Sequence, residues 1–224
     1  HGVYPGRIFA PDDPLMLGTL AMLDAAEREG LIYGTGWLAD GLWNYAASFY
    51  AHAHLWLGHG EKAAATLYAF GNHACPLLCW REEQSPQGQS PRYVGDMPHN
   101  WASAEFIRLV RHLLVLERGD ELHVLEGMPE SWTGPGSRIR MTQMPTSFGV
   151  MDLDVQVAEN GRRAVIRITP PRRESPKRIV VHLEHFGRSA ERVMLDDKPV
   201  KDPLSVDVQK PLILHVEFAE ERRP

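Results

Sequence analysis

The aromatic residues divide this sequence unevenly, and the division limits the folds open to it. All six tyrosines lie at or before Tyr93, and all six tryptophans at or before Trp132. Beyond Trp132 neither occurs, and Val, Ile and Leu alternate with charged residues instead. The change places a boundary near Gly119–Trp132. It predicts two domains, 1–120 and 121–224, within a chain of 224 residues, a length that accommodates two small domains.

The first half reads as helices. Asp13-Pro14 is an N-cap followed by proline in the first turn. Leu15, Leu17, Leu20, Leu23 and Ala26 follow at helical spacing, with Gly30 as a stop. A second helix is expected from about Asp40 to Leu57, closed by Gly58. A third begins near Glu61 and carries Ala63, Leu67, Phe70 and Ala74, until Pro76 kinks or ends it. A fourth runs from Pro98 to Gly119. Short links between the first three predict antiparallel neighbours. Cys75 and Cys79 fall in the third helical stretch and read as small core residues. Two cysteines make no disulfide scaffold, and a metal site needs more ligands than this pair supplies.

The second half reads as strands: Arg138–Gln143, Val150–Val157, Ala164–Thr169, Ile179–Leu183, Arg192–Leu195 and Leu212–Phe218. Asn160-Gly161 between two alternating runs is a hairpin signal, and Asp196-Asp197 is a second turn. Short strands at regular spacing predict an antiparallel β-sandwich. This half shows no evident cluster of acids or aromatics along the sequence, so its expected role is structural.

A net charge of −5, with no basic run longer than Pro171-Arg172-Arg173, argues against a nucleic-acid partner. No apolar run reaches the ~18 residues of a membrane span. No signal-peptide pattern follows His1, and the compartment stays open between cytoplasm and periplasm or secretion. Neither a Gly-x-Ser-x-Gly nucleophile elbow nor a phosphate loop occurs. His52 and His54 stand two apart, and His59 lies beyond the helix end. None has the four-residue spacing of a helical zinc pair, and the expectation is no metal and no cofactor.

Three segments concentrate chemistry: Gly36-Trp37-Leu38-Ala39-Asp40-Gly41-Leu42-Trp43-Asn44-Tyr45, Trp80-Arg81-Glu82-Glu83-Gln84-Ser85-Pro86-Gln87-Gly88 and Pro98-His99-Asn100-Trp101. Each borders a predicted helix end. In an antiparallel array these ends meet, so Trp37, Asp40, Trp43, Glu82, Glu83, His99 and Trp101 could line one pocket. Indole faces stack on sugar C–H surfaces, carboxylates and imidazoles bind hydroxyls, and a carboxylate can activate water at an anomeric carbon. The plainer reading is a solvated loop with aromatic packing at helix ends.

These segments, over roughly Gly34–Gly119, resemble the last hairpins of six-hairpin (α/α)6-barrel glycoside hydrolases. The bacterial and processing α-glucosidase family is similar in its Trp-rich opening segment, answered here by Trp37 and Trp43. It is also similar in an aromatic-x-Glu-x-x-x-Pro-x-x-Gly segment, answered by Trp80 to Gly88, where the spacing from Pro86 selects Glu82. The α-L-rhamnosidase family is similar in a Trp-Glu segment before a long final helix, with the Pro98-His99-Asn100-Trp101 order as a departure. Leu125–Trp132 is similar to the first strand and crossover into the β-domain of such enzymes.

The resemblance implies helical hairpins of a partial (α/α)6 toroid followed by an antiparallel β-sandwich. It implies an inverting hydrolase acting on an oligosaccharide or glycoside, with Glu82 (Glu83 as alternative) as general base. Trp37, Asp40, Trp43, Trp80, His99 and Trp101 would bind substrate. A full toroid needs twelve helices, and about four are read here. The expectation is therefore a C-terminal piece of a larger glycosidase, or one chain of an assembled one, with its general acid elsewhere and little activity alone. A non-catalytic carbohydrate-binding or scaffold module and a sugar phosphorylase are the alternatives.

Overall fold

The computed structural model describes residues 2–201, 204–206 and 210–220. It divides into two compact units, 1–113 and 114–224.

In the first unit, Asp13 caps α1 (Pro14–Ala25), its Oδ1 accepting from Leu15 N–H at 2.8 Å. Of the stripe expected on α1 only Leu20 is buried, whereas Leu15, Leu17 and Met22 are exposed. The chain then turns through Glu29 and Gly30, both at positive φ. This joins β1 (Glu27–Arg28) and β2 (Leu31–Ile32) as a minimal antiparallel hairpin. β3 (Leu42–Trp43) precedes α2 (Ala46–Trp56), and Gly58 at φ 83° lets the chain reverse into α3 (Gly60–Asn72). β4 (Glu83–Gln84) pairs with β3 on one side and with β5 (Tyr93–Val94) on the other. α4 (Asn100–Leu114) follows. Phe70, Trp80, Leu31, Leu42, Ala47 and Ala102 form one apolar cluster, and Leu20, Ile32 and Tyr50 a second.

The expected run of helical hairpins from a partial (α/α)6 toroid is thus overturned. Only α2 and α3 follow each other across a short turn; short strands stand between the other helices, and the described structure is mostly sheet. The reason lies in residues 27–45, where the glycine turns Gly30, Gly34, Gly36 and Gly41 interrupt any helix. The expected second helix therefore starts six residues late, at Ala46, with Tyr45 at its N-cap position. The third helix ends at Asn72, which leaves Cys75 and Cys79 on a half-exposed turn, not in a core.

In the second unit, β6 (Val115–Arg118) turns through Gly119 into β7 (Glu121–Val124). The expected fourth helix thus ends about five residues early, and the chain continues as strand. Leu125–Trp132, expected to open the β-domain with a strand, holds instead a left-handed Leu125 and a 3-10 turn at Glu130–Trp132. Then come β8 (Arg138–Thr146), β9 (Gly149–Val157), β10 (Arg163–Thr169), β11 (Arg178–Val181), β12 (Ala190–Leu195), β13 (Lys198–Val200), β14 (Leu204–Val206) and β15 (Leu212–Phe218). Six of these form an antiparallel sheet in the order β13-β12-β15-β10-β9-β8.

The remaining strands form a second sheet, β14-β11-β7-β6, in which β7 and β11 are parallel; the sheets are therefore not all antiparallel as expected. Alternation builds the core. Along β15, Leu212, Leu214, Val216 and Phe218 are buried while Ile213 and His215 face out. They pack with Leu153, Val155, Ile166 and Ile168 of the same sheet and with Leu122, Val124, Ile179 and Val181 of the other. Asn160-Gly161 forms the β9–β10 turn, with Gly161 at φ 66°, and Asp196-Asp197 turns β12 into β13 through two left-handed residues.

Candidate functional site

The site is assembled around the β3-β4-β5 sheet of the first unit. Asn44 is buried, and its side-chain amide donates to Arg81 O at 2.8 Å and to Gln84 Oε1 at 3.2 Å. Its backbone N–H donates to Glu82 O, Glu82 N–H donates to Asp96 O, and His99 N–H donates to Trp80 O. Residues 80–83 are thus tied to the chain on either side of them.

Extended backbone sends consecutive side chains to opposite sides, and here it separates two carboxylates. Glu83 is 0% exposed. Its Oε2 accepts from Trp37 N–H at 2.8 Å and its Oε1 from Leu38 N–H at 3.0 Å. A Cβ on Gly36 or Gly41 would overlap this carboxylate, so both glycines are required by its approach. Burial raises the Glu83 pKa and the Glu82 charge adds to the rise, with the two amide bonds working against it. Glu83 anchors a loop and has no open face for a substrate.

Glu82 is half-buried and lies over Gly95, where a Cβ would again overlap the carboxylate. One oxygen each from Glu82 and Asp96 and a ring nitrogen of His99 lie within 4.8 Å of one another. Asp96 Oδ1 bonds His99 Nδ1 at 2.6 Å. That bond holds the Asp96 carboxyl below its usual range. His99 Nε2 is buried with no hydrogen-bond partner among the described residues. Tyr45 stands 5.5 Å from the His99 ring and 5.7 Å from Trp101, which is 66% exposed. Burial, then the nearby Glu82 charge, raises the Tyr45 pKa. Tyr45, Phe49, Trp101, Ala104 and Glu105 line a depression of about 350 Å³. Its Glu105 wall is held by Ser48 Oγ at 2.6 Å and Arg108 Nη2 at 2.5 Å.

The structure therefore brings together Glu82, His99 and Trp101 of the expected residues, with Asp96, a nearby carboxylate in the sequence, and Tyr45 beside them. Trp80 is a core residue: 5% exposed, packed on Phe70 and Phe106, with its indole N–H donating to Phe70 O at 2.7 Å. Trp37 is 75% exposed and joined to the region through its backbone bond to Glu83. Asp40 is ion-paired with Arg92. Trp43 packs edge-on against Tyr45, its indole nitrogen buried and without a hydrogen-bond partner among the described residues. Tyr45 closes the Gly36–Tyr45 segment read from the sequence, but is not among the residues expected to bind substrate.

Glu82, Asp96 and His99 are the right residue types to hold a cation, but the Asp96–His99 bond already occupies one ring nitrogen. With a half-buried carboxylate, a buried unpaired imidazole nitrogen and an exposed indole in one place, the arrangement suits a polyhydroxylated ligand. No helix among the described residues is long and apolar enough to cross a membrane. No protein-family model matches the chain, and no curated protein matches it.

Proposed function

We propose that the Glu82–Asp96–His99 cluster and the Tyr45–Trp101 wall process a glycoside, with Glu82 as the general base that activates water. The observation that carries this reading is the His99 ring, which clusters with Glu82 and Asp96 and keeps its buried Nε2 without a hydrogen-bond partner among the described residues. A buried polar atom without a partner costs free energy, and a sugar hydroxyl reaching it supplies the partner. Trp101 and Tyr45 offer apolar ring faces next to it, as a pyranose requires.

An inverting mechanism needs a protonated acid roughly 6.5–9.5 Å from the base. Asp96 is too near, within 4.8 Å, and is held ionised by His99. The proposal therefore assigns the general acid to a group outside this cluster. Asp96 instead fixes the orientation of the His99 ring through Nδ1.

The test is hydrolysis of a panel of aryl glycosides and oligosaccharides by the intact protein. Glu82→Gln is expected to abolish turnover while saccharide affinity, measured by calorimetry, stays within a few fold. Unchanged turnover removes Glu82 from the mechanism. The ionised state of Asp96 favours one second reading, a module that binds saccharide without cleaving it; binding lost in Trp101→Ala, with no hydrolysis by the intact protein, would select it.

A further inference from the structure

The second unit carries a convergence of side chains that its sequence spacing hides. β7 and β11 are parallel, with His123 opposite Val180, and His182 N–H donates to Val124 O at 3.0 Å just past the end of β11. Leu122, Val124, Ile179 and Val181 point into the core. The opposite face therefore takes Glu121, His123, Arg178 and His182 in a row. His123 Nδ1 lies 3.0 Å from His182 Nε2 and 3.5 Å from Glu126 Oε2. The three ligand atoms fall within 4.8 Å of one another.

The outer nitrogens decide what the inner ones can be. His123 Nε2 faces Glu121 Oε2 at 3.2 Å, and His182 Nδ1 faces Glu184 Oε1 at 2.7 Å. An ionised carboxylate only accepts, so in each neutral ring the proton sits on the outer nitrogen. His123 Nδ1 and His182 Nε2 then present bare lone pairs to each other, with a third from Glu126. Two imidazole lone pairs turned toward each other, with no donor between them among the described residues and a carboxylate oxygen beside them, are satisfied by a shared cation.

We infer that His123, His182 and Glu126 form a binding site for a first-row divalent metal of the zinc class. Two nitrogens each about 2.1 Å from one ion stand about 3.0 Å apart at a right angle and about 3.4 Å apart in a tetrahedron. The observed 3.0 Å falls at the right-angle value of an octahedral site rather than the tetrahedral one, and two imidazoles with one carboxylate suit nickel, cobalt or zinc over magnesium or calcium. Glu121 and Glu184 supply the outer carboxylates that orient metal-bound histidines. Arg118 donates to both oxygens of Glu126, from Nε at 3.0 and 2.9 Å, and so fixes the carboxylate in place. The oxygen Oε2 keeps a lone pair for the metal. This site is independent of the one proposed in the first unit.

The experiment is titration of the intact chain with Co²⁺, read by visible absorption, followed by competition with Zn²⁺. One equivalent is expected to bind with ligand-field bands that Zn²⁺ abolishes. His182→Ala and Glu126→Gln, each checked for folding by circular dichroism, are expected to lose the bands. Glu184→Gln, which keeps all three ligands, is expected to weaken affinity by about 10–100-fold. If His182→Ala does not fold, His123→Gln and Glu184→Gln carry the same comparison. Absence of Co²⁺ binding by the unaltered chain overturns the inference, and the two rings then share a proton. Bands that persist in a folded ligand variant overturn it as well.

Discussion

Glu82 and Glu83 differ by one position and, on the structure, by everything else, so exchanging each for a neutral residue separates anchoring from chemistry. Glu83→Ala removes the acceptor of two backbone N–H groups, from Trp37 and Leu38. Hydrogen bonds to a charged group contribute about 1.5–3 kcal/mol each. Against their sum stands the cost of keeping a buried carboxylate, visible in its raised pKa. Trp37 is exposed, so water can re-solvate part of what is lost. The net expectation is a loss of about 2–4 kcal/mol. In a unit of this size that lowers the melting temperature by roughly 10 °C.

Glu83→Gln keeps the shape and one acceptor but turns an amide NH₂ toward an N–H donor, and is expected to cost about half as much. Glu82→Gln is expected to leave the melting temperature within about 2 °C. The assay is thermal unfolding, with hydrogen exchange at the Trp37 and Leu38 amides as the local readout. A Glu83→Ala protein that melts with the unaltered chain and protects both amides equally well would refute the anchoring argument.

Four further outcomes are expected. Burial, then the charge of Arg108, pushes the His52 pKa down to about 3, while burial and His52 push His112 down. The unfolded chain then binds more protons below about pH 6.5, so the first unit loses stability as pH falls from there, by up to about 1.4 kcal/mol per pH unit per histidine; a flat melting temperature between pH 7 and 5 would contradict it. Trp80→Ala is expected to cost about 3–5 kcal/mol, because it empties a core position rather than a binding site, and chemical denaturation measures it. Trp101→Ala is expected to leave stability within about 0.5 kcal/mol and to weaken saccharide binding up to about tenfold, read by calorimetry. Leu214→Ala, at a fully buried position of β15, is expected to cost the second unit about 2–5 kcal/mol, read by its denaturant midpoint.

Local chemistry was legible wherever it sets local structure. The Asp13 cap, the Gly58 reversal and the Asn160-Gly161 turn each follow from a few neighbouring residues, and the long strands of the second half follow from their alternation. The first half misled because β1 to β5 are two residues long, too short to carry a period. The apolar run Leu113-Leu114-Val115-Leu116 satisfies a helix and a strand equally, and the chain uses it for both. The choice between Glu82 and Glu83 rests on strand phase, which motif spacing does not report. Trp80 reads as a binding residue until its indole is seen bonded into the core. His123 and His182 lie 59 positions apart and meet only through a parallel pairing, which nothing near either residue encodes.

The two consecutive carboxylates also limit how this segment can vary in length. A residue gained or lost between Arg81 and Glu83 would shift the strand by one step, moving the loop anchor to the open side and the proposed base into the interior. The chain from Gln87 to Pro91 is free of strand pairing and held by single bonds such as Gln87 N–H to Glu29, so a change of length there costs less than one inside the strand. Variation should therefore collect on the far side of Gln84, while the distance from Asn44 to Glu83 behaves as a fixed ruler.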